Sequence, residues 1–539
     1  MNTKVSTHMI KRLQLTAMVA ALSLACNVSH ADERADLETL KQTTINLIQI
    51  LVQQGVLTQE KADALVQQAQ TQALATVKAA NAQTAANSAP PVAGEIRVPY
   101  VPESLRKQIA DSVREEVVAQ AKAERWGDVN MVPEWVDRLK WSGDIRVGYE
   151  NDDFGNGNAP EYVFQAQGDT GVKNTLAERD RLRMRARLAL DATVTPETSA
   201  GLRLTTGNAA DPTSTTQTMG NYDEKYTFSL DRAFIRYQPQ FEQPWASITA
   251  GRMPNPFFST NLVWNDNLNF EGVAVTSDPF SIAGQPVWRP FATFGIFPLQ
   301  DLERSTSNQA NIKYMVGTQV GLDWVPGLNK RAKIGLAYYD YHNMAGQPNS
   351  NATPNTFDSS APNFMQRGNT KFNIDNGVVD STGKALSPIF ALASDFNLVD
   401  LTGSLDLTLS NPVHLMVTGD YVQNIGFNAA RVQALTGQNI AAETTGYLFR
   451  TAVGMPTMLL RGDWQMSLAY RYLEKDAVVD AFTDSDFGLG GTNSQGYILG
   501  FDYATGKNTW WTVRYMSSNE ISGLPYSATV LQAYFNAKF

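Results

Sequence analysis

Arginine occupies every second position from 179 to 187: Arg179, Arg181, Arg183, Arg185 and Arg187. On a helix these side chains would spread around the cylinder; on a strand they form one face. Asp180, Leu182, Met184 and Ala186 stand between them, and Leu188 and Leu190 continue the aliphatic side. Such a strand needs water on one face and an apolar medium on the other. If that medium is lipid, the arginines must turn away from it, because an arginine at the bilayer midplane costs about 2–4 kcal/mol. The pattern predicts a strand of a transmembrane β-barrel with its arginines in the lumen.

The C-terminus carries the same period. Leu531, Ala533, Phe535, Ala537 and Phe539 fall on one face, and Gln532, Tyr534, Asn536 and Lys538 on the other. A barrel closes by pairing its last strand with its first, so an aromatic final residue can be ordered. Closure predicts Tyr534 and Phe535 beside the first strand, near Asp144 to Tyr149. Phe535 then faces lipid with Tyr149, and Tyr534 faces the lumen.

Strand-like runs recur from residue 140 to the end, at 140–150, 180–193, 200–206, 226–238, 246–253, 270–276, 287–298, 311–325 and 331–342. The series continues at 397–409, 413–424, 444–453, 463–473, 494–503, 509–517 and 527–539. The connections after odd-numbered runs are mostly long, and those after even-numbered runs are mostly short and rich in turn residues, such as Pro326-Gly-Leu-Asn-Lys330 and Ser410-Asn-Pro412. That alternation predicts an all-β transmembrane barrel of about sixteen antiparallel strands over 140–539, with both chain ends in the periplasm. Beyond the N-terminus no apolar run is long enough for a transmembrane helix. The negative mean hydropathy, −0.27, suits strands of which one face is wet.

The N-terminal part reads differently. Residues 1–31 have the form of a secretory signal: basic Lys4, Lys11 and Arg12, an apolar stretch from Leu13 to Ala25, and Ser29-His-Ala31 before Asp32. Leu22-Ser-Leu-Ala-Cys26 also resembles a lipoprotein box, with serine where leucine is usual, so Cys26 is either lipidated or removed with the signal. Residues 32–78 predict a periplasmic helical hairpin, with a trimerising coiled coil or a cell-wall handle as alternatives; Gly55 caps the first helix and Thr58 starts the second. Residues 79–98, containing Pro90-Pro91, read as a linker. Residues 99–139 hold an amphipathic helix (Leu105, Ile109, Val113, Val117) and a lead-in to the barrel, so a small α-helical region precedes the strands.

Period places further arginines on inward faces: Arg146, Arg203, Arg232 and Arg236 join Arg181, Arg183, Arg185 and Arg187 as pore-lining candidates. Such a wall attracts anions; equally, its arginines can pair with luminal acids such as Asp144 and Glu150. Opposite it, the connection 254–268 is the candidate inward loop, since Phe257, Phe258, Val263 and Trp264 are apolar anchors uncommon in a solvated loop. Asp266, and Glu271 just beyond, are its candidates to face the arginines. Tyr470 with Tyr472, Tyr497 with Tyr503, and Trp511 with Tyr515 share outward faces suited to interfacial girdles. Enzymatic chemistry is poorly supplied. After the signal only His342 and His414 remain, expected at opposite rims, and there is no phosphate loop or nucleophile elbow. No cofactor is implied, and the net charge of −9 argues against nucleic acid as a partner.

Taken with the helical start, Val98-Pro-Tyr-Val-Pro-Glu103, Val132-Pro-Glu-Trp135, Trp141-Ser-Gly-Asp-Ile-Arg146, Gly251-Arg-Met-Pro-Asn-Pro-Phe257 and terminal Phe539, the chain resembles the putative porin family of Gram-negative outer membranes. The resemblance implies a β-barrel pore but no particular solute and no binding residue. The expectation is an outer-membrane porin that passes small hydrophilic solutes by passive diffusion, biased toward anions by its luminal arginines. Its lipid-facing exterior meets the outer membrane, and analogy with large porins implies a homotrimer. The alternative is a structural tether that contacts the cell wall through residues 33–125.

Overall fold

The computed structural model describes residues 136, 138–239, 246–277, 287–327, 329–380 and 382–539. The expected signal peptide, Cys26 lipidation, helical hairpin, linker and amphipathic helix lie outside these residues.

Sixteen antiparallel strands form a closed barrel. They are β1 (Leu139–Phe154), β2 (Arg179–Thr195), β3 (Thr198–Thr205), β4 (Ser229–Tyr237), β5 (Ala246–Pro254), β6 (Asn269–Ser277), β7 (Trp288–Gln300) and β8 (Lys313–Gly327). Then follow β9 (Lys330–His342), β10 (Asn397–Ser410), β11 (Val413–Asn424), β12 (Thr445–Gly454), β13 (Trp464–Leu473), β14 (Ser494–Gly506), β15 (Thr509–Glu520) and β16 (Ser527–Lys538). Each pairs with its sequence neighbours, and β1 pairs with both β2 and β16. A two-residue strand, Gln217–Thr218, leans on β2. Sixteen strands enclose a lumen wide enough for water.

Closure follows the alternation of the last strand. Val147 lies opposite Phe535, Gly148 opposite Tyr534 and Tyr149 opposite Ala533. Phe535 is 36% exposed on the outer face, whereas Tyr534 is buried inside. Gly143 and Phe539 complete the seam by exchanging two backbone hydrogen bonds of 2.9 and 3.0 Å. This satisfies the sheet edge that lipid would otherwise strand.

The exterior is apolar at mid-height, with Leu182, Val273, Ile296, Val320, Leu336 and Leu468 among its exposed side chains. Aromatic residues collect at both rims. Trp288 and Trp324, and Trp511 and Phe535, pair at the rim of the short turns, with centroids 5.9 and 5.1 Å apart. Tyr447, Tyr470, Tyr472 and Tyr497 pack together at the rim of the long loops. Rings with an apolar body and a polar tip partition to such interfaces.

The long loops fold over and into the barrel. Residues 343–396 carry a small ladder between Lys371–Asn373 and Phe390–Leu392. Its Phe372 and Ala391 pack against Val432 of a short helix, Ala429–Thr436. Lys371 ties three loops together. Its Nζ lies 2.5 Å from Asp169 and 3.4 Å from Asp480. Nearby, Asp476 accepts from the Thr370 hydroxyl at 2.6 Å, and the Asp480 amide donates to Asn369 Oδ1 at 2.7 Å.

Burial pushes the Asp480 carboxyl up to about 7, with Lys371 opposing and Asp169 adding to the shift. Burial pushes Asp476 up to about 6 against its bonds from Thr370. Lys371 is raised, its burial outweighed by Asp480 and Asp169. An undocked carboxyl titrates near 4, so the docked loops hold protons that the undocked loops lack between that value and about 7. Docking therefore strengthens as pH falls from about 8 to about 5, and the raised lysine has the same sign, its contribution lost at alkaline pH. Hydrogen exchange of the Asp480 amide, corrected for its intrinsic pH dependence, is expected to show more protection at the acid end. Asp480→Asn should flatten that trend, and loosening on acidification would contradict it.

Candidate functional site

One half of the inner wall is apolar and covered. Phe270, Phe297, Met315, Tyr339, Leu398, Val422, Leu448 and Leu473 face inward from β6 to β13 and form one cluster. Phe257, Leu262, Val263 and Trp264 of the connection 255–268 pack onto it, so that loop lies inside the barrel. Trp264 meets Phe270 and Tyr339 edge-on at 4.7 and 5.1 Å. Phe257 lies over Gly317, where a Cβ would come 2.5 Å from its ring. Phe258 exchanges its backbone bonds with Gln319 at 2.8 and 2.7 Å, and Thr260 donates to Asp420 at 2.5 Å. A second loop, 474–493, joins the first through the bond from the Asn265 amide to the Phe482 carbonyl, 2.7 Å.

The opposite half is charged. The carboxylates stand on β1 and the arginines on β2, in register. Arg187 and Arg185 share Asp144 at 2.5 and 2.8 Å. Arg183 reaches Glu150 at 2.7 Å, and Arg181 bridges Glu150 and Asp152, the latter at 2.6 Å. Glu150 is 1% exposed and also accepts from Gln532 and Tyr534 at 3.0 and 2.8 Å. On the next strands a register shift between β3 and β4 turns both Asp231 and Arg232 inward. Asp231 pairs with Arg203 at 2.5 Å.

Other arginines of the wall have amide partners. Arg146 Nε donates to Asn536 Oδ1 at 2.8 Å, its guanidinium 5.3 Å from the Tyr534 ring centroid. Arg232 Nε donates to Asn269 Oδ1 at 2.7 Å, and Arg450 to Gln465 at 3.3 Å. Arg236 lies on the face opposite exposed Ile235 and Tyr237. An amide satisfies a guanidinium geometrically without cancelling its charge.

The two acidic candidates do not meet the β2 ladder. Glu271 lies on the face of Val273 and Val275, which are 48% and 39% exposed outside, and pairs with Arg252 at 2.5 Å. The strand begins at Asn269, so Glu271 already obeys strand alternation, and its neighbour Phe270 takes the inward position. Asp266 is exposed within the barrel, with Asp484, Arg514 and Arg450 among its charged neighbours. The acids of loop 474–493 come nearer the wall: Asp486 lies 3.4 Å from Arg514. Arg450 and Arg514 follow the same alternation that marks Arg203 and were legible by it. Loop 474–493 carries the same mark as 254–268, apolar anchors at Val478, Val479, Phe482 and Phe487.

A cavity of about 400 Å³ separates wall from loops, with Arg146, Glu150 and Arg183 on one side and Gln366, Arg367 and Asp486 on the other. His342 lies at the end of β9 and His414 near the start of β11, at opposite rims. Among the described residues no group of three metal-ligating side chains occurs.

The profile of the family described as "Putative porin" matches residues 41–539. The chain belongs to that family. No curated relative matches it by sequence. Among solved structures, it is similar in architecture to OprB of Pseudomonas putida at high pH, with 10% identity and TM-score 0.43, covering 75% of this chain and 96% of that one. The outer membrane channel DcaP of Acinetobacter baumannii gives 10% identity and 0.39, covering 74% and 97%. An anion-selective porin from Comamonas acidovorans gives 12% and 0.38, covering 74% and 99%. Membership in the porin family, with a closed barrel and an apolar exterior, makes this chain an outer-membrane channel.

Proposed function

We propose that this porin passes small hydrophilic solutes by passive diffusion and favours anions. The observation that carries the bias is the company kept by the wall arginines. Asp144, Glu150 and Asp152 between them serve four guanidinium groups, while Arg146 and Arg232 bond to neutral amides. Basic charge therefore exceeds acidic charge along this side. A low-dielectric wall concentrates that field in the narrowed lumen, which raises the local anion concentration. The loop packed on the opposite wall sets the size limit.

Reversal potentials in planar bilayers under a potassium chloride gradient test the proposal. The wild type is expected to favour chloride. Arg146→Gln should reduce that preference by removing an uncompensated charge. Replacing Arg185 and Arg187 together should reduce it further, since Asp144 is then left unneutralised. An ohmic pore that prefers potassium would sink the anion bias and leave the channel standing.

A further inference from the structure

The cavity between the ladder and the loops has more donors than its own acceptors use. Six cationic and four anionic side chains line it. Glu150 is held by Arg181 and Arg183, Asp152 by Arg181 through one oxygen, Asp486 by Arg514, and Asp211 by Thr213. Two lining acceptors, the second Asp152 oxygen and Gln532 Oε1, are buried without a partner, and the unpartnered donors outnumber them. Arg367 is 7% exposed, and its Nη2 is buried with no hydrogen-bond partner among the described residues. Its guanidinium stacks 4.0 Å from the centroid of the Tyr526 ring. The neighbouring Gln366 Nε2 and, across the cavity, the Nε atoms of Arg181 and Arg183 are buried and unpartnered in the same way.

Orphaned buried donors are costly, and an arginine fork held flat on a ring is preorganised for a planar, two-oxygen acceptor. The loop also holds Arg367 in place: its carbonyl accepts from the Thr492 amide at 2.9 Å. Lys371 Nζ donates to the Gln366 carbonyl at 2.5 Å, which aims the Gln366 side chain from a fixed backbone.

We propose that this cavity is a binding site for a small organic carboxylate, whose carboxylate group is taken by Arg367 and Gln366 and whose remaining polar groups meet Arg181 and Arg183. The channel would then hold its solute on passage rather than merely sieve it. This rests on the channel reading above and deepens it. The recognition pair stands on a loop between β9 and β10, outside the period-two pattern that marks the wall.

The test is occlusion of chloride current in planar bilayers, with succinate added on the long-loop side of the full-length protein. Succinate is expected to reduce the current along a saturating curve. Arg367→Ala should raise the half-blocking concentration roughly tenfold or more, as expected when a charge-assisted bond is lost. Arg367→Lys keeps the charge without the fork and should lie between; it also covers a fold failure of the alanine variant. An unchanged half-block in the lysine variant and in Gln366→Leu would overturn the site. Block by inorganic phosphate but not by succinate would overturn the carboxylate assignment. Absence of any chloride current defeats the channel reading itself, whereas current without succinate block defeats only this inference.

Discussion

Replacing Trp264 with alanine is expected to raise single-channel conductance severalfold and to make the current noisier. Trp264 is 2% exposed and is the ring on which the inward loop turns: it meets Phe270, Tyr339, Tyr341 and Phe482. Truncating a buried tryptophan removes about 3–5 kcal/mol. The remaining anchors are smaller: Leu262 and Val263 pack beside it and Asn265 bonds Phe482. Phe257 sits over Gly317, Phe258 bonds Gln319 and Thr260 bonds Asp420. A loop stabilised by several kcal/mol opens often once most of that is lost, while the barrel's own hydrogen-bond ladder stays intact. Single-channel recording measures the effect directly. Unchanged conductance in a correctly closed barrel would show that the loop does not narrow the path. A larger side chain at Gly317 should mimic Trp264→Ala, because it fills the space under the Phe257 ring.

The second large effect is expected at Glu150. Glu150→Gln should destabilise the barrel by roughly 3–5 kcal/mol, the cost typical of breaking a buried ion pair from one side. Arg181 and Arg183 lose their shared counter-charge, and Tyr534 and Gln532 lose a charged acceptor. The consequence lies at the seam, since Gln532 and Tyr534 belong to β16 and Glu150 to β1. Denaturant unfolding in detergent reads the stability, and reversal potential reads the charge. The two should move in opposite senses: a weaker barrel with stronger anion preference. A stable variant with unaltered selectivity would mean that Glu150 neither holds the seam nor shapes the luminal field.

The different legibility of Arg185 and Arg367 shows where sequence reading ends. Arg185 is placed by alternation, because a side-chain period of two leaves only two faces and lipid forbids one of them. The same rule places Arg146, Arg203 and Arg232, and assigns Phe535 to the outside and Tyr534 to the inside. Glu271 is expected to face the ladder from the start of the strand 270–276, but alternation there gives the inward place to Phe270 and turns Glu271 outward. Arg367, Asp484 and Asp486 obey no period. Their positions depend on contacts between segments more than a hundred residues apart, such as Asn369 to Val478 and Asn261 to Asp484.

By itself, the sequence determined the strands, their number, their inward and outward faces and the closing pair of the barrel, because each is a local repeat answering one solvent on each side. Apolar anchors also marked 254–268 as an inward loop. Only the tertiary structure decided how the inward loops join one another, which arginines each acid takes, and where unpartnered donors converge. Those are matters of packing between distant segments, and no local preference encodes them.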